Sequence, residues 1–231
     1  MFFDANGDGL DDIVNCHYVA SGSVSYKLNW TMNNIGSKAN LLEISTLPEG
    51  GKYSFVYKAT GEYRDASNNF LNPELPFIYD TLNSWSVDDG VGQVAMTTYE
   101  YAGGHFYYNG AHDRRLAGFG RVAATDPAGN LTKSYYHTAN ESDSALGEFE
   151  DSYFKIGKPY RIEKYDNAGR LYQLVINKWE AHDLSIGSKF VKLAQTLSFT
   201  YDGDILHRDT AESYTYDNTN GNLIQKIQWG E

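Results

Sequence analysis

The segment Asp4-Ala5-Asn6-Gly7-Asp8-Gly9-Leu10-Asp11-Asp12 concentrates oxygen donors near the start of the chain. Calcium takes about six to eight oxygens, offered at alternating positions of a tight loop. Asp4, Asn6 and Asp8 have that spacing, and Gly9 permits the sharp bend. The Leu10 carbonyl and the Asp12 carboxylate complete the set, so the loop is expected to hold calcium. An EF-hand needs a bidentate Glu at its twelfth position, where this chain has Asn15, so the expected site is a shorter loop closed by Asp12 and followed by a strand.

Other chemistry finds less support. The six histidines are His17, His105, His112, His137, His182 and His207, and no two are three or four residues apart. They carry no zinc spacing and read as ordinary surface or strand histidines. Cys16, the lone cysteine, cannot form an internal disulfide and reads as a small core residue. A G-x-S-x-G nucleophile elbow and a phosphate-binding glycine loop are both absent. "GFG" at 118–120 reads as a strand-edge bend. The rings in "GEY", "YEY" and "FYY" could face sugars, but they fit core or hairpin stacking better. No catalytic residues are expected, and the chain reads as non-enzymatic.

The elements that carry these residues are strands. Val24, Tyr26, Leu28 and Trp30 alternate with polar residues, as do Tyr53, Phe55 and Tyr57. The same period of two runs through Leu171–Ile176, Val191–Tyr201 and Leu223–Trp229. Turn signals separate them: "EGGK" at 49–52, "AGGH" at 102–105, "PAGN" at 127–130 and "NAGR" at 167–170. The best short helix candidate is 144–154, and 65–83, with Pro73 and Pro76, reads as a long surface excursion.

One unit recurs: "YDNAGRL" at 165–171, "YDNTNGNL" at 216–223, "TDPAGNL" at 125–131 and a shortened "YDGDIL" at 201–206. It reads as a hairpin. Tyr165 or Tyr216 ends a strand, the carboxylate of Asp166 or Asp217 accepts N–H groups across the turn, and Gly169 or Gly221 supplies positive φ. The Leu opens the return strand on the buried face. One such hairpin cannot bury its own face, so copies must stack.

The 231 residues include 19 Tyr, 11 Phe, 22 Gly and 5 Pro, a mix that favours β-structure with tight turns. The formal net charge of −11 disfavours phosphate backbones, so no nucleic-acid partner is expected. No apolar run reaches membrane-spanning length, and "MFFDANGDG" lacks the basic start and apolar stretch of a signal peptide.

"YDNAGRL" and "YDNTNGNL" resemble the YD repeats of Rhs proteins. "TTYEYAGGHFYY" at 97–108, "RRLAGFGRV" at 114–122 and "SYYHT" at 134–138 resemble the middle region of Tc insecticidal-toxin B components of the TcdB type. "KANLLEISTLPEGGKYSFVYKATGEY" at 38–63 resembles the segment just upstream, and "DANGDGLDDIV" resembles the last edge loop of an FG-GAP/VCBS-type β-propeller in an SpvB-like N-terminal part. The resemblance implies an all-β fold of stacked antiparallel β-hairpins forming a Rhs/YD-repeat shell, with a propeller remnant at the N-terminus. It implies three parts: 1–22 from the propeller, 23–160 as the middle region and 161–231 as YD repeats. The implied function is structural: part of a β-shell in a secreted bacterial toxin that encloses a toxic C-terminal polypeptide. The implied partners are the rest of the parent polypeptide, the toxin cargo and a translocation channel subunit. An adhesin or carbohydrate-binding YD-repeat module is the alternative. Rhs cores can also carry a self-cleaving aspartyl site, but "DPAGN" at 126–130 lacks the further Asp, with Asn130 in its place, and reads as a turn.

Overall fold

Alternating side chains and glycine-bearing turns fold this chain into antiparallel strands. The computed structural model describes residues 2–3, 12–21, 23–31, 41–110, 112–184, 188–203 and 205–230. Among them there is no α-helix, and no helix is long and apolar enough to cross a membrane. The chain divides into two compact units, residues 1–71 with 76–95, and residues 72–75 with 96–231.

In the first unit, β1 (Phe2–Phe3), β2 (Asp12–Ser21) and β3 (Ser23–Thr31) form an antiparallel sheet in that order. Val24, Tyr26, Leu28 and Trp30 fall on β3, as their alternation predicts. A second meander contains β4 (Ile44–Thr46), β5 (Lys52–Ala59) and β6 (Asp80–Asp88). The "EGGK" signal is the β4–β5 turn, closed by Leu47 N–H donating to the Gly51 carbonyl at 2.7 Å. The expected excursion over 65–83 is shorter than predicted. Arg64 bridges Phe70, and β6 begins at Asp80. A 3-10 turn at Thr60–Glu62 precedes Tyr63, which is buried with its hydroxyl 2.8 Å from Thr81 Oγ1.

The second unit is an eight-stranded antiparallel meander in chain order. Its strands are β7 (Val94–Tyr108), β8 (Arg114–Thr125), β9 (Leu131–Tyr136), β10 (Pro159–Tyr165), β11 (Leu171–Asp183), β12 (Lys189–Tyr201), β13 (His207–Tyr216) and β14 (Leu223–Gly230). Long-range pairing of neighbours satisfies the backbone. The side chains of most strands are half-buried, and those of β14 are exposed throughout. Among the described residues of this unit, the buried apolar side chains are Ala102, Ala117 and Tyr160.

Three local expectations are corrected. "AGGH" is not a turn: it lies inside β7, because Gly104 admits a close neighbour. A Cβ there would stand 2.6 Å from Leu75 Cδ1, and Gly104 N–H donates to Asn72 Oδ1 at 2.9 Å. "GFG" sits within β8, not at its edge, where Ala117 is skipped between the pairs His105–Gly118 and Phe106–Leu116. Gly118 takes φ +89° at this bulge. The predicted short helix over 144–154 is instead two 3-10 turns, Ser144–Leu146 and Tyr153–Lys155.

Candidate functional site

The recurring sequence unit folds as one turn, repeated. In Asp166–Arg170, the Asp166 N–H donates to the Arg170 carbonyl at 3.0 Å and Gly169 N–H returns to the Asp166 carbonyl at 3.0 Å. Asp166 Oδ1 accepts the N–H groups of Ala168 and Arg170 at 3.0 and 2.8 Å, and Oδ2 accepts Arg170 Nε at 2.8 Å. Gly169 lies at φ +78°. This is a tight turn followed by a left-handed residue, a common hairpin closure. Asp126–Asn130 repeats it: Oδ1 accepts from Ala128 and Asn130 at 2.9 and 2.8 Å, and Gly129 lies at φ +85°.

The recurring ends of the unit have a geometric meaning. Tyr165 pairs with Leu171, Tyr216 with Leu223, and Thr125 with Leu131, so the first and last residues of each unit are the closing cross-strand pair. "YDGDIL" differs, because Tyr201 pairs with His207 and Leu206 projects into solvent. Leu223 is also exposed, contrary to the expected buried position. Asp217 accepts Thr219 N–H at 2.8 Å, and Gly221 N–H reaches its carbonyl at 2.7 Å, with one more residue in the loop.

Two relatives of this turn escaped the sequence pattern. Asp65 Oδ1 accepts from Ser67 and Asn69 at 2.8 Å each, with Asn68 at φ 66° where the others have Gly. Asp89 Oδ1 accepts from Val91 and Gln93 at 2.8 and 3.0 Å, with Gly92 at φ +106°. An Asp followed four residues later by an amide side chain was the available signal. These bonds favour the ionised acid. The side-chain amides of Asn69 and Asn130 lead in holding Asp65 and Asp126 below the usual carboxylate range. Loop N–H groups lead for Asp89 and Asp166.

In a meander, successive connections alternate between the two ends of the sheet. The Asp126 and Asp166 turns therefore share one end, and the Asp217 turn lies at the other. The first two touch: Asn167 Nδ2 donates to the Ala128 carbonyl at 3.4 Å. Behind the Asp166 turn, Glu163 is buried as a polar hub. Its Oε1 accepts Arg161 Nε at 2.7 Å, and its Oε2 accepts the Tyr135 and Tyr165 hydroxyls at 3.2 and 2.9 Å. Burial first, then the Glu163 carboxylate, pushes the Tyr165 phenol up to about 12. Tyr216 packs edge-on against Phe190, with ring centroids 5.8 Å apart.

The histidine expectation fails at one position. His137 is fully buried, with Nδ1 2.7 Å from Glu148 Oε1 and 3.2 Å from Asp151 Oδ1. Neither ring nitrogen makes an aligned hydrogen bond. The carboxylates are fixed from behind. Glu148 Oε2 accepts Asp143 N–H at 2.7 Å, and Asp151 Oδ2 accepts Thr138 and Asn140 N–H at 3.0 and 3.1 Å. Burial alone would favour a neutral imidazole, but Asp151 and Glu148 outweigh it and raise His137 above its ordinary value. Burial also opposes the Asp151 charge, but His137 and the N–H groups of Thr138 and Ser152 hold it low. The sequence concealed this cluster because its members lie on a loop without periodicity, between β9 and β10.

Of the expected calcium donors, Asp4, Asn6, Asp8 and Leu10 lie outside the described residues, and Asp12 is placed as the first residue of β2.

Residues 1–145 match the family model of the insecticide toxin TcdB middle/N-terminal region. Among solved structures, the chain is similar to one titled "Crystal Structure of TcdB2-TccC3-Cdc42", with a TM-score of 0.53 and 16 % identity. That likeness covers 71 % of this chain but only 11 % of the matched one, and at such identity it concerns the fold. A search of curated proteins finds no match. The family match takes in well over half of the 231 residues, and the antiparallel fold agrees with the structural likeness. The chain belongs to the family of the insecticide toxin TcdB middle/N-terminal region.

Proposed function

We propose that this chain is a non-enzymatic wall segment of a secreted bacterial toxin, a B-component-like polypeptide whose β-shell encloses and helps deliver a toxic C-terminal part. The observation that carries this reading is the meander of the second unit. Its side chains are mostly half-buried, while the buried apolar set described for the unit is Ala102, Ala117 and Tyr160. Such a sheet resembles a wall between two spaces more than the lid of a core, since a packed domain buries one face of each sheet. The stacked Asp–Gly turns support the further reading of 161–231 as YD repeats, with Tyr165, Asp166, Gly169, Tyr216, Asp217 and Gly221 as their structural residues. The oxygen-rich loop supports a propeller-derived segment over 1–22, with calcium at Asp4, Asn6, Asp8, Leu10 and Asp12, leading into a middle region over 23–160. The partners in this reading are the remainder of the parent polypeptide, the cargo and a translocation channel subunit.

Protease protection tests it. In the natural full-length polypeptide, the C-terminal part should survive protease while the shell is intact and be digested once the shell is opened by denaturant. Digestion at equal rates in both states would refute enclosure. The competing adhesin reading rests on an open cleft lined by Tyr172, Tyr201, Asp202, His207 and Arg208, rings and polar groups of a kind that suits sugars. A glycan array on the same polypeptide is expected to be blank, and specific sugar binding would favour the adhesin.

A further inference from the structure

We propose that His137, Glu148 and Asp151 form a binding site for a divalent cation of the zinc type, which fastens the loop between β9 and β10. The three residues present one nitrogen and two carboxylate oxygens, all within 4.8 Å of one another. Ligands about 2.1 Å from a shared cation stand roughly 3.0–3.4 Å apart; the His137–Asp151 distance of 3.2 Å falls in that range, and the His137–Glu148 distance of 2.7 Å would have to open slightly to admit the ion. One imidazole with two carboxylates suits zinc, cobalt or manganese better than calcium, which asks for more oxygens.

Two observations go beyond a cluster of acids. His137 is a fully buried polar side chain aimed between the carboxylates, yet both of its ring nitrogens lack an aligned hydrogen bond. Buried polar groups are nearly always hydrogen-bonded, so a ring nitrogen 2.7 and 3.2 Å from two carboxylates with an aligned bond to neither leaves room for a shared ion. The Ser152 hydroxyl, next in sequence to Asp151, is likewise buried and without a hydrogen-bond partner. The carboxylates also have the supporting bonds of ligands. The N–H groups of Asp143, Thr138 and Asn140 hold the far oxygens and turn Glu148 Oε1 and Asp151 Oδ1 toward the ring, with Asp151 Oδ1 also accepting the Ser152 N–H at 2.7 Å. The neighbouring cation, Lys155, is engaged elsewhere, with Nζ donating to the carbonyls of Phe149 and Glu150.

A cation here would join the residue that follows β9 to the segment between the two 3-10 turns of the loop, closing it as a structural staple. Burial denies substrate access, so the assigned role is structural.

The test uses the 231-residue chain, freed of any affinity tag, in buffer containing calcium so that the oxygen-rich N-terminal loop does not compete for the probe. Where that chain associates with itself, a longer polypeptide carrying it serves equally. Metal analysis should find about one zinc per chain. After chelation, Zn2+ at a hundredfold excess over its Kd should raise the melting temperature by about 5–10 °C. Glu148→Gln keeps an acceptor for the Asp143 N–H but removes the charge. It should retain the fold by circular dichroism and lose both the bound zinc and the rise, and Asp151→Asn should behave alike. A folded wild-type chain that takes up no zinc and does not shift would overturn the proposal and leave a protonated His137 closing an ion triad. An equal shift in Glu148→Gln would overturn it too, because the zinc would then be bound elsewhere.

Discussion

Gly129 and Gly169 occupy the same place in the same turn, at φ +85° and +78°, but they differ in what surrounds them. A Cβ on Gly169 meets nothing within 4 Å, whereas one on Gly129 would stand 3.1 Å from Asn167 Cβ in the adjoining turn. Gly169→Ala should cost only the left-handed backbone penalty, about 1–2 kcal/mol. Gly129→Ala should cost more, because the two turns must also move apart. Chemical denaturation checks the order, and equal losses would mean that the turns do not press on each other. The turn carboxylates give a second expectation. Asp65, Asp89, Asp126 and Asp166 are all held below their ordinary value in the folded chain. Their stabilisation is therefore present above the unfolded carboxylate value of about 3.9, and it is lost as pH falls through the lower folded values. The melting temperature should drop on acidification below about pH 4. Replacing Asp65, Asp126 and Asp166 together with Asn should flatten that limb, and an unchanged acid slope would remove the turns as its cause. Asp126 and Asp166 were legible from sequence because Asp and Gly are fixed by backbone geometry within five residues. Asp65 escaped because Asn68 takes the left-handed position without being Gly, and Asp89 because Asp88 and Val94 stand where the recurring unit has Tyr or Thr and Leu.

Among elements, β10 shows how a strand with few apolar side chains is fastened. Arg161, Glu163 and Tyr165 lie on one face, and Tyr135 of β9 reaches the same carboxylate. Glu163→Ala leaves a half-buried guanidinium, which keeps only the Leu146 carbonyl, and two half-buried phenols without this acceptor, at a cost of about 1–3 kcal/mol. Glu163→Gln should recover part of that. Urea denaturation of both variants measures it, and a loss below about 1 kcal/mol, as for an exposed pair, would show that the hub is solvated. The strands themselves were readable from period-two alternation, most clearly in β3, β11 and β12. "AGGH" was misread because a glycine inside a strand looks like a turn until the approaching Asn72 and Leu75 are known. The cluster of His137, Glu148 and Asp151 was illegible for a related reason. Its members are 11 and 14 residues apart on an irregular loop, a spacing that carries no signal of its own.

For the whole molecule, family membership and strand order agree, and the sheet of the second unit has the burial expected of a wall rather than of a core. Sequence resemblance anticipated the family through the segments at 38–63 and 97–138, while the enclosing role is a proposal about a longer polypeptide, since the structural likeness covers 11 % of the matched chain. The most direct test is cryo-electron microscopy of the full-length polypeptide that carries this sequence. In it, β7–β14 should form part of a closed β-shell, with one face toward an internal cavity and the other toward solvent. A structure in which both faces of this sheet meet bulk solvent, or in which one is packed into an ordinary hydrophobic core, would contradict it.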